Sequence, residues 1–286
     1  MYELSTAATA GKPEVAARLR RGLSLKRVII GILVAALGVG SVFVAPAFTV
    51  VVVLIAVIGA VEFTNLAQRA GADISLPVAA AACAAYPLLA SAGLLTRWEP
   101  ALVSIIVIAS FLASLTADLE RFAGRCAMTV LASLYLGKLL SYFVLLRGAH
   151  NGLTFTVWLI VVVALTDIAA MVAGLQYGRH RMAPRLSPSK TWEGAAAALL
   201  VATLVGAAMG LSPFIGVPWW LAFLFPLCVS VAAAIGDLVE SALKRNAQVK
   251  DSGHIIAGHG GVLDRFDSYI FAGVVGYAVL LLAGRL

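Results

Sequence analysis

Ser241–Ser268 reads SALKRNAQVKDSGHIIAGHGGVLDRFDS, a run of charge set between two hydrophobic blocks, Trp219–Val239 and Tyr269–Leu286, each long enough to cross a bilayer. The whole chain is 62% hydrophobic and only 12% charged, so a disproportionate share of its ionised groups is gathered here. Ionised side chains are costly beside hydrocarbon, which makes such a cluster a candidate reaction or binding site.

Working outward, apolar stretches of about 18 residues or more recur along the chain, and the mean hydropathy is +0.99. This is the pattern of an all-α, polytopic transmembrane helical protein. A β-barrel is excluded, because barrel strands alternate apolar and polar residues whereas these blocks are apolar on all sides. About nine transmembrane helices are expected: Arg27–Val44, Ala47–Leu66, Leu76–Leu94, Ala101–Leu115, Ala127–Leu146, Leu153–Tyr177, Ala195–Leu211, Trp219–Val239 and Tyr269–Leu286. Pro46 divides an apolar run too long for one crossing and suits a tight hairpin. Several of these spans are short, which leaves room for a re-entrant segment.

Three parts follow: a basic N-terminal segment 1–26, N-terminal transmembrane helices 27–152, and a C-terminal transmembrane region 153–286 whose charged loops are 178–194 and 240–267. Translocated loops are poor in Lys and Arg, and with these boundaries about 17 of the 21 basic residues fall on the N-terminal side of the membrane. The N-terminus is therefore expected in the cytoplasm, with both charged loops on that face. The segment 1–26 reads as a basic tail that enforces topology, or as one that also recognises anionic lipid. Nothing in it suggests cleavage. The net charge of +7 needs no nucleic acid to explain it, since no nucleic-acid-binding motif or interleaved aromatic pattern accompanies it. Cys83, Cys126 and Cys228 lack CxxC spacing and read as small core residues.

Within the charged segments, Asp264 and Asp267 are three apart and share a helix face if DRFDS opens a helix. Asp237 lies near the C-terminal end of an apolar span, where the helix dipole disfavours an anion, so it asks for a cation partner. Carboxylates grouped in this way suit Mg²⁺, although aspartates at a helix start also serve as caps. Lys244, Arg245, Lys250 and Arg265 bracket these acids, and Lys190 lies in the other charged loop within LSPSKTWEG. Cations beside carboxylates are what a polyphosphate substrate requires, although Glu240 and Lys244 could equally form an internal salt bridge. His259 with Gly260 and Gly261 could form an anion-binding nest. Asp167 interrupts an apolar span and reads as a site wall or as a helix–helix hydrogen bond. Glu62 and Lys138 are charged residues near membrane ends, and snorkelling suffices for the lysine.

These motifs resemble those of the phosphatidate cytidylyltransferases, also called CDP-diacylglycerol synthases: a serine, LKR, KD, GHGG and DRFD over Ser241–Asp267, with SPSKTWEG, the upstream Asp167 and the GDLVES lead-in. The motifs cover roughly the C-terminal 40% of the chain. Ala257 stands where the family often has proline, and AAM follows Asp167 where GAY is common. The resemblance implies transfer of CMP from CTP to phosphatidic acid, giving CDP-diacylglycerol and pyrophosphate, with Mg²⁺ and a monovalent cation such as K⁺. It implies Asp237 and Asp264 as metal ligands, with Lys244, Arg245, Lys250, Asp251, His259, Arg265 and Asp267 as the catalytic surround. Ser187, Lys190, Thr191 and Glu193, together with Asp167, would form the substrate-binding side. The expected setting is a bacterial cytoplasmic membrane with the site facing the cytoplasm, membrane lipids as surroundings, and a homodimer as one assembly open to it. Two other readings compete: a CTP-dependent kinase of polyprenol type, and a secondary transporter relaying protons through Asp167 and Asp237. No convincing similarity between halves favours the transporter.

Overall fold

A computed structural model describes residues 36, 38–253 and 260–286. In chain order the helices are α1 (Ala45–Arg69), α2 (Leu76–Ser91), α3 (Leu95–Ser114), α4 (Leu119–Ala132), α5 (Leu139–Gly148), α6 (Gly152–Tyr177), α7 (Trp192–Leu211), α8 (Trp219–Asn246) and α9 (Leu263–Leu282). A π-helical turn, Ser133–Lys138, joins α4 and α5 into one 30-residue rod. Among the described residues, seven helices, counting that rod as one, are long and apolar enough to cross a membrane, and α2 is a shorter apolar helix of 16 residues. This is an integral membrane protein of all-α type.

Eight of the nine expected spans coincide with these helices. The first, Arg27–Val44, lies largely outside the described residues, as does the segment 1–26. Several boundaries move. The rod begins at Leu119, eight residues before the expected Ala127, because Arg121 and Arg125 lie on a helical extension that runs past the apolar block. The last helix opens at Leu263, six residues before the expected Tyr269, so the charged DRFD sequence is itself helical. Pro46 sits in the first turn of α1, where a missing N–H breaks no intrahelical bond. The loop after α6 is not wholly irregular: β1 (Arg181–Ala183) and β2 (Ser187–Thr191) form an antiparallel two-stranded ribbon.

Small residues set how closely the helices approach, as packing in lipid requires. A Cβ at Gly206 of α7 would stand 2.6 Å from Pro226 of α8, and the indole of buried Trp158 on α6 donates to the Gly206 carbonyl at 2.9 Å. Trp158 also stacks on Phe225 with ring centroids 4.1 Å apart. This joint fixes α6, α7 and α8 against one another. Helix α9 packs against α8, α5, α6 and α1, and so links the two groups of helices. Its Gly273 and Gly276 lie flush with Phe143 and Leu159, with no room for a side chain.

Lys138 has a partner on another helix. It forms an ion pair with Glu99 of α3, which neutralises both charges within the bundle. At the other end of the bundle the ribbon, the last turns of α8 and the first turn of α9 converge, and the candidate site lies among them.

Candidate active site

Three helices and the ribbon each bring a carboxylate or a lysine to this end. At Gly236 a Cβ would lie 2.5 Å from the Asp267 carbonyl oxygen, so the backbones of α8 and α9 touch. That approach carries Asp237, the next residue along α8, to the start of α9. The Asp237 carboxylate meets Lys190 of β2 at 2.6 Å, which supplies the cation partner that its place on an apolar helix demands. Asp167 on α6 accepts from the Ser268 hydroxyl at 3.3 Å. Asp167, Asp237 and Asp267 lie within electrostatic range of one another, with Lys190 beside the first two. Asp267 is nearly buried, whereas Asp237 is one-third exposed at 34%.

A second pair forms two turns further along α8. Lys244 bridges buried Glu240, four residues before it, and Asp264 Oδ1 at 2.7 Å. The salt bridge open as an alternative from sequence is therefore present, and it extends to a candidate site residue. Asp264 Oδ2 accepts three hydrogen bonds: from Ser252 N at 2.9 Å, from the Ser252 hydroxyl at 3.0 Å and from Gly261 N at 2.7 Å. Gly260 adopts φ +83°, and a Cβ there would lie 2.7 Å from Asp264 Oδ2. Only glycine suits both the dihedral and the space.

Arg245 is engaged as well. Its Nε donates to the Leu186 carbonyl at 3.0 Å and its Nη1 to the Val249 carbonyl at 3.1 Å, so one guanidinium ties the ribbon turn to the loop after α8. Thr191 caps α7 by accepting from Gly194 N at 3.2 Å. Glu193, in the first turn of α7, accepts from Arg179 N at 3.1 Å and contacts His180 Nδ1 at 2.6 Å. Ser187 lies 3.4 Å from Ser189 on the exposed ribbon. Lys250 and Asp251 are exposed on the loop after α8, and Arg265 is exposed on the first turn of α9. His259 lies outside the described residues.

The structure thus gathers Asp167, Asp237, Asp267 and Lys190 on one side and Lys244, Asp264 and Glu240 on the other. Asp237 and Asp264, expected as a metal pair, each hold a different lysine. Among the described residues, no three of His, Cys, Asp or Glu stand close enough to cage a metal. Mg²⁺ needs no cage, because it takes one or two carboxylates and completes its shell with water and phosphate oxygens. Asp237 fits that requirement: among the described residues it receives, besides Lys190, only a long bond from Ser241, at 3.5 Å. Asp264 has its Oδ2 filled and could offer only the Oδ1 that Lys244 holds.

Two participants were not identified from sequence. Glu62 of α1 is buried and receives Val262 N at 2.9 Å and Leu263 N at 2.8 Å, and its Oε2 lies 3.2 Å from the Ser252 hydroxyl, whose one proton it shares with Asp264. Ser252 lies within the signature but carries no chemistry that marks it. For Glu62 the signal was present, an acid in an apolar helix, but its partners lie 190 residues or more away in the chain.

Comparison with known proteins follows the same line. Residues 25–283 match the model of the cytidylyltransferase family. The phosphatidate cytidylyltransferase of Bacillus subtilis is 41% identical over 154 residues, covering 54% of this chain and 56% of that protein. Its namesake in Staphylococcus saprophyticus is 37% identical over 172 residues, 59% of this chain and 65% of that protein. That of Helicobacter pylori is 37% identical over 185 residues, 64% of this chain and 65% of that protein. The matched stretch spans less than two thirds of each of these relatives. Since the family match runs over nearly the whole length and takes in every charged residue described above, the chain belongs to the cytidylyltransferase family.

Proposed function

We propose that this protein transfers CMP from CTP to phosphatidic acid, releasing pyrophosphate and forming CDP-diacylglycerol at the cytoplasmic face of a bacterial inner membrane. The observation that carries this reading is the convergence of two lysine–aspartate pairs, Lys190 with Asp237 and Lys244 with Asp264, at one end of an apolar bundle. The names of the curated relatives agree with it.

The chemistry follows from charge. A phosphate oxygen of phosphatidic acid is already ionised near neutral pH, so no strong base is needed to make it a nucleophile. It bonds to the α-phosphorus of CTP while the bond from that phosphorus to the bridging oxygen of the β-phosphate breaks, and pyrophosphate leaves with the electron pair. The obstacle is the approach of two anions. Lys190 and Lys244, each held by an aspartate, are fixed cations beside which phosphoryl oxygens can rest, and fixed cations stabilise developing charge without reorganising. Arg245 holds the two loops in register, so the lysines keep their spacing. Both lysines lie at the end of the bundle, where acyl chains can remain in the bilayer while the head group reaches the site.

Asp237, with Asp264 where Lys244 yields its Oδ1, would hold Mg²⁺. When bound, the ion neutralises triphosphate oxygens and polarises the attacked phosphoryl group. A monovalent cation such as K⁺ would find further carboxylate in Asp167 and Asp267. The positive-inside distribution of Lys and Arg supports the cytoplasmic orientation.

The test is purified protein with CTP labelled at the α-phosphorus and phosphatidic acid, with and without Mg²⁺. Label in a lipid product with one pyrophosphate released per turnover is expected. Release of CDP with the γ-phosphate on the lipid would instead establish a kinase.

A further inference from the structure

We propose that Glu62, on α1 in the N-terminal half, is a positioning residue for the reaction: its carboxylate clamps both ends of the signature loop and caps the helix that carries Asp264 and Asp267. This rests on the proposed CMP transfer for its functional part, whereas the clamp itself rests on geometry.

The side chain of Glu62 is almost fully buried, at 1% exposure, in a helix whose other buried residues are apolar or small. A lone carboxylate there would be strongly unfavourable, yet this one meets two backbone donors and a hydroxyl that it shares with Asp264. Oε1 accepts from Val262 N at 2.9 Å, and Oε2 accepts from Leu263 N at 2.8 Å and lies 3.2 Å from the Ser252 hydroxyl. Val262 is the N-cap and Leu263 the first residue of α9, and the N-cap side chain makes no capping hydrogen bond. Glu62 therefore does from another helix what an N-cap side chain does locally: it satisfies orphan amides and places an anion at the positive end of the dipole.

Ser252 extends the clamp. Its hydroxyl sits between Glu62 Oε2 at 3.2 Å and Asp264 Oδ2 at 3.0 Å, and its amide donates to Asp264. Glycine is required on both arms: a Cβ at Gly253 would lie 2.5 Å from Glu62 Oε1, and one at Gly261 would lie 2.6 Å from Glu62 Oε2. Glu62 thus ties the loop at Ser252 to its entry into α9, and through Ser252 it fixes the orientation of Asp264, which in turn holds Lys244.

Catalysis that depends on placed charge is sensitive to displacement on this scale; an error of about 1 Å can cost about 10²-fold in rate. Replacement by glutamine keeps the size of the side chain but turns an NH₂ group toward donors on one arm.

The experiment uses the full-length protein in three variants, Glu62→Gln, Glu62→Asp and, as a half-buried, ion-paired acid away from the site, Glu99→Gln. Hydrogen exchange of the Val262 and Leu263 amides should accelerate by about tenfold in Glu62→Gln while the other helices stay at wild-type rates. Per folded molecule, its kcat should fall by about tenfold or more with the KM for CTP within about twofold, and Glu62→Asp should recover part of the loss. Unchanged exchange at 262–263, wild-type kcat in Glu62→Gln, or an equal loss in Glu99→Gln would overturn the assignment. If the wild type shows no CMP transfer, the functional reading fails, and the exchange measurement still decides the clamp. Should Glu62→Gln fail to insert, Ser252→Ala removes one donor only; faster exchange at 262–263 is then expected, and no change overturns the clamp.

Discussion

Lys190 on the ribbon and Asp237 on α8 meet at 2.6 Å, although 47 positions and a complete helix separate them in the chain. The ribbon reaches Asp237 because α7 leaves it directly and packs beside α8, with Gly206 and Pro226 in contact. Either partner alone would be an unpaired charge at the edge of hydrocarbon. Together they leave Asp237 accessible on its open side.

Replacing Lys190 with methionine keeps the length of the side chain and removes its charge. CMP transfer should fall by about 10²-fold in kcat/KM, the scale seen when one preorganised charge-stabilising group is lost. Steady-state kinetics with CTP varied would measure this, and a loss under about threefold would contradict a direct role for the ammonium.

Arg245 should not be replaceable by lysine. Its guanidinium donates to Leu186 O and Val249 O from two nitrogens of a rigid fork, and an ammonium on a flexible stem lacks that geometry. Arg245→Lys and Arg245→Ala are expected to raise the KM for CTP by a similar factor, about fivefold to tenfold, and to expose the loop after α8 to added protease. Full activity in Arg245→Lys would show that charge alone suffices.

The α8–α9 contact predicts opposite outcomes for two glycine-to-alanine changes. At Gly236 the new Cβ would meet the Asp267 carbonyl at 2.5 Å, so the helices must separate, at a cost of about 1–3 kcal/mol. At Gly124, in the exposed part of α4, nothing lies within 4 Å, and alanine should be neutral or stabilise by up to about 1 kcal/mol. Thermal unfolding in detergent separates the two.

The contact between His180 and Glu193 lies on an exposed turn, His180 being 79% exposed. Exposed pairs contribute little, so His180→Ala should keep activity within about twofold. A larger loss would place His180 in substrate recognition.

Much of this was legible in sequence, because bilayer thickness fixes the length of an apolar block and the cost of a buried charge leaves few places for ionised groups. The blocks from Ala47 to Leu211 coincide with helices for the first reason, and Asp237, Lys244 and Asp264 stand out for the second. Boundaries at charged ends were not legible: the last helix opens ahead of DRFD, where Glu62 accepts from the Val262 and Leu263 amides, and Glu62 lies 200 residues upstream of Val262. The ion pair of Lys138 was not legible either, its partner Glu99 lying on another helix. Local sequence records the need for a partner; only the fold supplies its identity.

The most direct measurement is turnover of α-labelled CTP with phosphatidic acid by wild type, Asp237→Asn and Asp264→Asn, at matched amounts of folded, membrane-inserted protein. Wild type should label the lipid and release pyrophosphate, and each asparagine variant should lose about 10²-fold or more of that rate. Wild-type turnover in both variants would contradict the placement of the reaction at this cluster.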